Sequence, residues 1–156
     1  MRRNVERGLP FDDGSVEAVY SSHMLEHLPR NVALGVLREC RRVLGSNGVL
    51  RLAVPDLRQM AEDYLRSSDA GAADAFMRGS GLGVERRVRG LGRLIEIMGG
   101  SKHKWLYDAK SLQQICVEAG FLATRVCSYR EGSCPGLEDV EQRPESLFVE
   151  ALLQAN

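Results

Sequence analysis

The chain has 156 residues, a length typical of one domain, and its formal net charge is zero because 21 basic residues balance 21 acidic ones. This balance gives no global field that would attract nucleic acid or an anionic membrane surface. No apolar run reaches membrane-spanning length, and Arg2-Arg3 is not followed by the apolar stretch of a secretory signal. We therefore expect a cytoplasmic protein without a membrane or nucleic-acid partner.

The four cysteines form no C-x-x-C pair, and their spacing fits no zinc pattern. Cys40, Cys116 and Cys127 fall at apolar positions of predicted elements, so we expect them to be buried. Cys134 lies in a loop before Pro135 and is the one cysteine predicted to be exposed.

The first part of the chain predicts a strand, a helix and a second strand joined by short loops. Val16–Ser22 has the pattern of a half-buried strand, and Asn31 is the expected N-cap of an amphipathic helix that ends at the glycine-rich residues 45–48. Residues 49–54 are apolar enough for a buried strand. Such a unit predicts two parallel strands with a right-handed crossover.

Helical patterns follow over residues 55–66 and 69–77. Residues 79–100 contain many glycines and predict a mobile segment over one edge of the sheet. Asp108 then has the position of an N-cap for a helix over residues 109–119.

The last part of the chain predicts strands over residues 121–129 and 145–153. Because no crossover helix lies between them, these strands should pair antiparallel. The predicted fold class is therefore α/β: a mostly parallel sheet with helices on it and one antiparallel strand at its end, in a single domain over residues 1–156.

His23, Glu26 and His27 form the pattern H-x-x-E-H, which on a continuous helix is the inverted zinc-hydrolase motif. His23 lies at a strand-to-helix junction and Pro29 ends the helix early, so the two histidines are not expected to share one helix. We interpret these residues as part of a ligand pocket and predict no metal. A purely structural turn is the alternative, and a zinc hydrolase through His23 and His27 is a remote one.

Gly79-Ser80-Gly81-Leu82-Gly83 matches a G-x-G-x-G phosphate loop. Such a loop must follow a buried strand, whereas the residues before Gly79 predict a helix, so a flexible hinge is the better interpretation. His103, Trp105 and Tyr107 lie just before another predicted helix, where backbone N–H groups favour a polar or anionic substrate. We carry these three forward as candidate substrate contacts, with core packing as the alternative.

The segment LPFDDGSVEAVYSSHMLEHL (residues 9–28), followed after a helix by RVLGSNGVL (residues 42–50), resembles the central part of class I S-adenosylmethionine-dependent methyltransferases of the type 11 subgroup. The later stretches HKWLYD, EAGF and RPESLFVEA resemble one branch of those proteins. The resemblance implies a Rossmann-like, doubly wound sheet in which Val16–Ser22 is the fourth strand, residues 49–54 are the fifth, and the last strand is inserted antiparallel. It also implies S-adenosylmethionine as the cofactor.

In such enzymes the first strand ends in a glycine-rich loop for the cofactor, and the second ends in an acidic residue for its ribose. The sequence begins after both motifs, so we expect the C-terminal two-thirds of the fold, truncated, with an open sheet edge along Val16–Ser22. By resemblance, His23 or His27 is the candidate base. The remaining cofactor contacts that the resemblance implies are Asn4, Leu9, Pro10, Phe11, Ser21, Ser22 and His23.

Two classes of function follow from this reading. The first is a methyltransferase that acts on a small or glycan-like acceptor, or that is inactive alone. The alternative is a non-catalytic interaction module that pairs through its open sheet edge, either as a homodimer or with a partner chain.

Overall fold

The computed structural model describes residues 8–83 and 102–154 of the chain. Asn4 and residues 84–100 of the predicted mobile segment lie outside the described residues.

Four strands form one mixed sheet in the order β1-β2-β4-β3. The strands are β1 (Val16–Ser22), β2 (Leu44–Val54), β3 (Ala123–Cys127) and β4 (Leu147–Leu152). β1 and β2 are parallel, whereas β4 is antiparallel to both β2 and β3. The residue pattern placed the antiparallel strand at the end of the sheet, which is wrong. β4 lies between β2 and β3, as the family resemblance implied, and five of its six residues are buried.

The predicted strand-helix-strand unit is confirmed, with helix α1 (Arg30–Val43) between β1 and β2. The expected N-cap is wrong by two positions: Pro29 precedes the first helical residue, so Asn31 already lies inside the helix. The missing N–H of proline costs nothing at a helix start, and Pro29 instead accepts a bond from Ala33 N through its carbonyl oxygen.

The glycine-rich residues 45–48, predicted to end α1, belong to β2. The ladder pairs Val16 with Leu44 and then Ala18 with Val49, so residues 45–48 bulge out between two paired positions. The extra residues are accommodated because glycines at both ends of this bulge need no space for a side chain.

Alternation along β2 divides the interior into two layers. Leu50, Leu52 and Val54 point into the main core, which α1 and helix α4 (Ala109–Glu118) cover. Val49 points to the opposite face, where the short helix α5 (Leu137–Val140) covers it. Helices therefore lie on both faces of the sheet, as expected for this fold class.

Three further helical features match their predictions closely. Asp108 caps α4 in a reciprocal capping box with Ser111. Helix α2 (Leu57–Arg66) is capped by the Asp56 carboxylate, which accepts from two backbone N–H groups. Helix α3 (Ala72–Gly79) overlaps the helix predicted over residues 69–77 but ends two residues later, at the first residue of the segment predicted to be mobile. Its Phe76 ring packs against a tyrosine of α2 at 5.8 Å. No helix among residues 8–83 and 102–154 is long and apolar enough to cross a membrane.

The second face of the sheet holds a buried ionic network that the sequence pattern did not reveal. Arg51 is fully buried in β2, and its Nε donates to Oε1 of Glu141 at 2.7 Å. Its two terminal nitrogens donate to the carbonyl oxygens of Glu131 and Ser128 at 2.9 Å. Glu150 of β4 lies 3.6 Å from Arg51 Nη1. These bonds anchor the loop between β3 and β4 to the sheet.

Cys134 belongs to that anchored loop, and the prediction that it is exposed is wrong. The residue is 7% exposed, because its backbone N–H donates to Oε1 of Glu150 on β4 and its side chain packs against Val49 of β2. Cys40 and Cys116 are buried as predicted, Cys127 is half-buried, and all four thiols are free.

Candidate functional site

A cavity of about 330 Å³ opens at the carboxyl ends of β1 and β2. We call it the carboxyl-edge cavity. His23 follows β1 and Asp56 follows β2, and both line it, together with residues of α2 and the segment just before β4. In open α/β sheets, ligands bind outside the carboxyl ends of the strands. This cavity is therefore the candidate functional site.

His23 enters the cavity from a strained backbone position. Its φ angle is 46°, in the left-handed region that residues other than glycine seldom adopt. Its N–H donates to the carbonyl oxygen of Ala53 at 2.9 Å, which extends the pairing of β1 with β2 by one residue. Such strain persists where the surroundings hold it in place, and it is commonest at functional sites.

The imidazole of His23 bridges two segments. Its Nε2 lies 2.8 Å from Oγ of Ser146, and its Nδ1 lies 3.3 Å from Oε1 of Glu26. Burial lowers the pKa of His23 below its ordinary value, although Glu26 acts in the opposite direction. The ring is therefore neutral near pH 7 and can accept a proton.

Glu26 lies behind His23, in a 3-10 turn over Leu25–His27. The side chain is fully buried, and neither carboxylate oxygen has a hydrogen-bond partner among the described residues. The nearest ring nitrogens are Nδ1 of His23, at 3.3 Å, and Nε2 of His103, at 3.8 Å. Buried carboxylates almost always have a hydrogen-bond partner, so the position of the Glu26 carboxylate requires an explanation.

His27 and His103 stand edge to face, with ring centroids 4.8 Å apart. One atom each from Glu26, His27 and His103 lies within 4.8 Å of the others. The backbone holds this arrangement, because the carbonyl oxygen of Glu26 accepts from the N–H groups of Lys104 and Trp105 at 2.7 and 3.1 Å. We call these three side chains the Glu26 cluster.

The glycine motif at residues 79–83 contributes to the same place. The carbonyl oxygen of Ser80 lies 2.7 Å from Nδ1 of His103, and the carbonyl oxygen of Gly81 accepts from the His103 N–H at 3.3 Å. These residues follow α3 and not a strand, as the argument against a phosphate loop required. The glycine motif therefore holds His103 in position through these hydrogen bonds.

The predicted cofactor residues do not come together in the structure. Ser21, Ser22 and His23 lie at the carboxyl end of β1. Leu9 instead donates from its N–H to Glu39 Oε1 at 2.8 Å, within the last turns of α1, a helix that runs back to the opposite end of the sheet. Pro10 and Phe11 follow Leu9 there and are exposed.

The three predicted substrate residues also separate. His103 lines the carboxyl-edge cavity, and Trp105 is 44% exposed outside its lining. Tyr107 is buried in the main core, and burial raises the pKa of its phenol to about 12. Sequence reasoning included Glu26 in a ligand pocket, as the glutamate of the H-x-x-E-H pattern, but it missed Ser80 and Ser146 as parts of this site. Ser80 was interpreted only as part of a glycine-rich hinge, and Ser146 carried no signal.

Comparison with known proteins places these observations in a family context. A family model described as a methyltransferase domain matches residues 1–52 of the chain. No curated protein sequence matches the chain.

Several solved structures have a similar fold. A Thermotoga maritima S-adenosylmethionine-dependent methyltransferase, described as a possible histamine N-methyltransferase, has a TM-score of 0.57 at 12% identity, over 99% of this chain and 63% of that one. A methyltransferase of the same cofactor class from Archaeoglobus fulgidus has a TM-score of 0.55 at 14% identity, over 97% and 66%. A structure of PigF with SAH has a TM-score of 0.53 at 14% identity, over 96% and 33%. The chain thus spans no more than 66% of the length of any of these three proteins.

Proposed function

We propose that this chain, which has the fold of the class I S-adenosylmethionine-dependent methyltransferases, binds that cofactor and serves methyl transfer to a small or glycan-like acceptor at the carboxyl-edge cavity. The observation that carries the proposal is the position of this cavity, at the strand ends where such sheets bind their ligands. The match of residues 1–52 to a methyltransferase domain supports it, because those residues include β1, α1 and most of β2.

The described residues fit a cofactor in part. Ser21 and Ser22 lie at the carboxyl end of β1 and directly precede His23, which lines the cavity, although neither serine lines it. When bound, S-adenosylmethionine supplies an electrophilic methyl group. Leu9, Pro10 and Phe11 would have to meet the cofactor elsewhere, since the structure places them toward the opposite end of β1.

His23 is the residue to which we assign proton transfer. Its imidazole is neutral near pH 7 because burial lowers its pKa, and Nε2 already lies 2.8 Å from a hydroxyl group, that of Ser146. We assign this nitrogen to accept the proton that the acceptor releases. His27, the other candidate base, does not line the cavity.

Calorimetric titration with S-adenosylmethionine tests the proposal. We expect saturable heat from the wild-type chain and a weaker affinity for Ser22→Leu, which places a bulky side chain at the carboxyl end of β1. Ser46→Leu is the matched control, because the same change lies in the exposed bulge near the other end of the sheet and should leave affinity unchanged. Absence of heat at millimolar cofactor would leave the fold without the activity.

The interaction module remains a second proposal because β1 is an edge strand among the described residues. Its outer backbone groups are then available to pair with another strand, from a second copy or a partner chain. Light scattering coupled to size-exclusion chromatography tests self-pairing, which predicts a mass that rises with concentration. If the chain is a monomer at every concentration, self-pairing is excluded, and only pairing with a different partner chain remains for this edge.

A further inference from the structure

We infer that Glu26, His27 and His103 bind one divalent transition-metal ion of the zinc type beside the carboxyl-edge cavity. The inference does not depend on methyl transfer, and it departs from the sequence reading, which predicted no metal. It begins from the fully buried carboxylate of Glu26, which accepts no hydrogen bond within the described part of the chain.

The first step concerns which positively charged group could neutralise the Glu26 carboxylate. Nε2 of His103 lies 3.8 Å from Oε1 of Glu26, which is too far for a hydrogen bond from a protonated ring. Nδ1 of His23 is nearer, at 3.3 Å, but it forms no hydrogen bond with Glu26. A cation between the carboxylate and the rings would bind the carboxylate oxygen and the ring nitrogens at the same time.

The second step concerns the histidine tautomers. Nδ1 of His103 lies 2.7 Å from the carbonyl oxygen of Ser80, and Nδ1 of His27 lies 3.3 Å from the carbonyl oxygen of Lys102. A carbonyl oxygen can only accept, so in each ring Nδ1 carries the proton and Nε2 keeps its lone pair. Metal-binding histidines have this arrangement, in which the nitrogen that does not bind the metal donates to a backbone carbonyl group.

The third step concerns size and ligand type. Ligands of a tetrahedral zinc ion, each at about 2.0–2.1 Å from the metal, lie roughly 3.4 Å from one another. The Glu26–His103 separation of 3.8 Å needs only a small contraction, and every ligand atom lies within 4.8 Å of the others. Two imidazole nitrogens and one carboxylate oxygen favour zinc and its neighbours over magnesium or calcium, which prefer oxygen ligands alone.

The fourth step concerns access. His103 lines the carboxyl-edge cavity, whereas Glu26 lies behind it. Three protein ligands leave at least one coordination position, and that position can take a water or a ligand oxygen from the cavity. The site thus has the composition of an open metal centre and not of a closed structural one.

The test uses the full chain after dialysis against a chelator, titrated with zinc in competition with a chromophoric chelator. We expect one equivalent to bind, with at least about tenfold weaker affinity in Glu26→Gln and in His103→Gln. Glu145→Gln is the matched control, because it removes an exposed carboxylate from the same cavity and should leave affinity unchanged. No zinc binding, or equal binding by wild type and both ligand variants, would overturn the inference.

Two readouts on the wild-type chain keep the inference falsifiable if a variant fails to fold. The cobalt-substituted protein should show visible bands of nitrogen and oxygen ligation, and a thiolate charge-transfer band would instead assign the ion to a cysteine. In ¹⁵N spectra, zinc should shift Nε2 of His27 and of His103 while both Nδ1 atoms stay protonated. Unchanged imidazole resonances at saturating zinc would contradict the site.

Discussion

A Cβ atom on Gly81 would lie 2.7 Å from Nδ1 of His103, closer than non-bonded atoms approach. Gly81 also has a φ angle of 65°, which a side chain would strain. The middle glycine of the G-x-G-x-G motif is thus required by the position of the histidine beside it. This relationship links a motif that looked like a phosphate loop to the Glu26 cluster.

The first prediction follows from that contact. Gly81→Ala should lower the free energy of unfolding by about 1–3 kcal/mol, because the new methyl group strains the backbone and displaces His103. The measurement is urea denaturation. Gly79→Ala is the control: its Cβ would meet nothing within 4 Å, and alanine suits the end of α3, so stability should be unchanged or slightly higher. Equal stability of Gly81→Ala and wild type would contradict the close approach.

The second prediction concerns the buried ionic network. Arg51→Leu should destabilise the chain by about 3–5 kcal/mol, because it leaves the carboxylate of Glu141 buried without its guanidinium, whereas Glu150 keeps its ion pair with Arg125. Thermal and urea unfolding measure the change. Arg58→Leu removes an exposed arginine paired with Glu62 and should cost less than about 1 kcal/mol. Similar losses in the two variants would show that the network is not buried as described.

The third prediction is a pH dependence. Glu39 accepts hydrogen bonds from the Arg42 guanidinium, which has the larger effect, and from the Leu9 N–H. These bonds lower its pKa from 4.5 to about 2. Because the folded-state pKa is the lower one, the folded state favours the ionised form. The stabilisation is complete above pH 4.5 and is lost as the pH falls toward 2.

Urea unfolding of wild type and Glu39→Gln as a function of pH measures this contribution. The stability difference between them should be constant above pH 4.5 and should shrink as the pH falls from 4.5 to 2. A difference that does not change over that interval would mean that Glu39 has an ordinary pKa in the folded chain.

The fourth prediction ranks the thiols by reactivity. Cys127 is half-buried, whereas Cys40, Cys116 and Cys134 are buried. Burial raises the pKa of Cys40 and Cys134 to about 11, and that of Cys116 to about 12, which suppresses their thiolates. In the folded chain, iodoacetamide should therefore label Cys127 first, as followed by peptide mass spectrometry. Urea-unfolded protein is the control, in which all four should react alike. Early labelling of Cys134 would restore the sequence-based expectation.

The resemblance that local patterns suggested is confirmed at the level of the fold. The β1–α1–β2 unit was predictable because hydrophobic periodicity acts over a few residues, whereas the predicted N-cap Asn31 and the glycine-rich end of α1 were wrong. The bounds of β1 were predicted as the structure has them, and Asp108 caps α4 as its sequence position indicated. Each of these features depends on atoms that are close together in the sequence.

The tertiary structure decided what depends on distant partners. The place of β4 between β2 and β3, the burial of Arg51 and the burial of Cys134 all follow from contacts made across the sheet. The sequence pattern offered an arginine inside an apolar strand, but its carboxylate partner Glu141 lies 90 positions later.

The site shows the same division most clearly. The sequence by itself determined that His23, Glu26 and His27 lie close together just after the end of β1. The end of the strand, the short turn and Pro29 fix their spacing. Only the fold brought His103 to them, from 76 positions beyond His27. Long-range proximity of this kind is set by the packing of the loop at residues 102–105 against the 3-10 turn, through two backbone hydrogen bonds that no local pattern encodes.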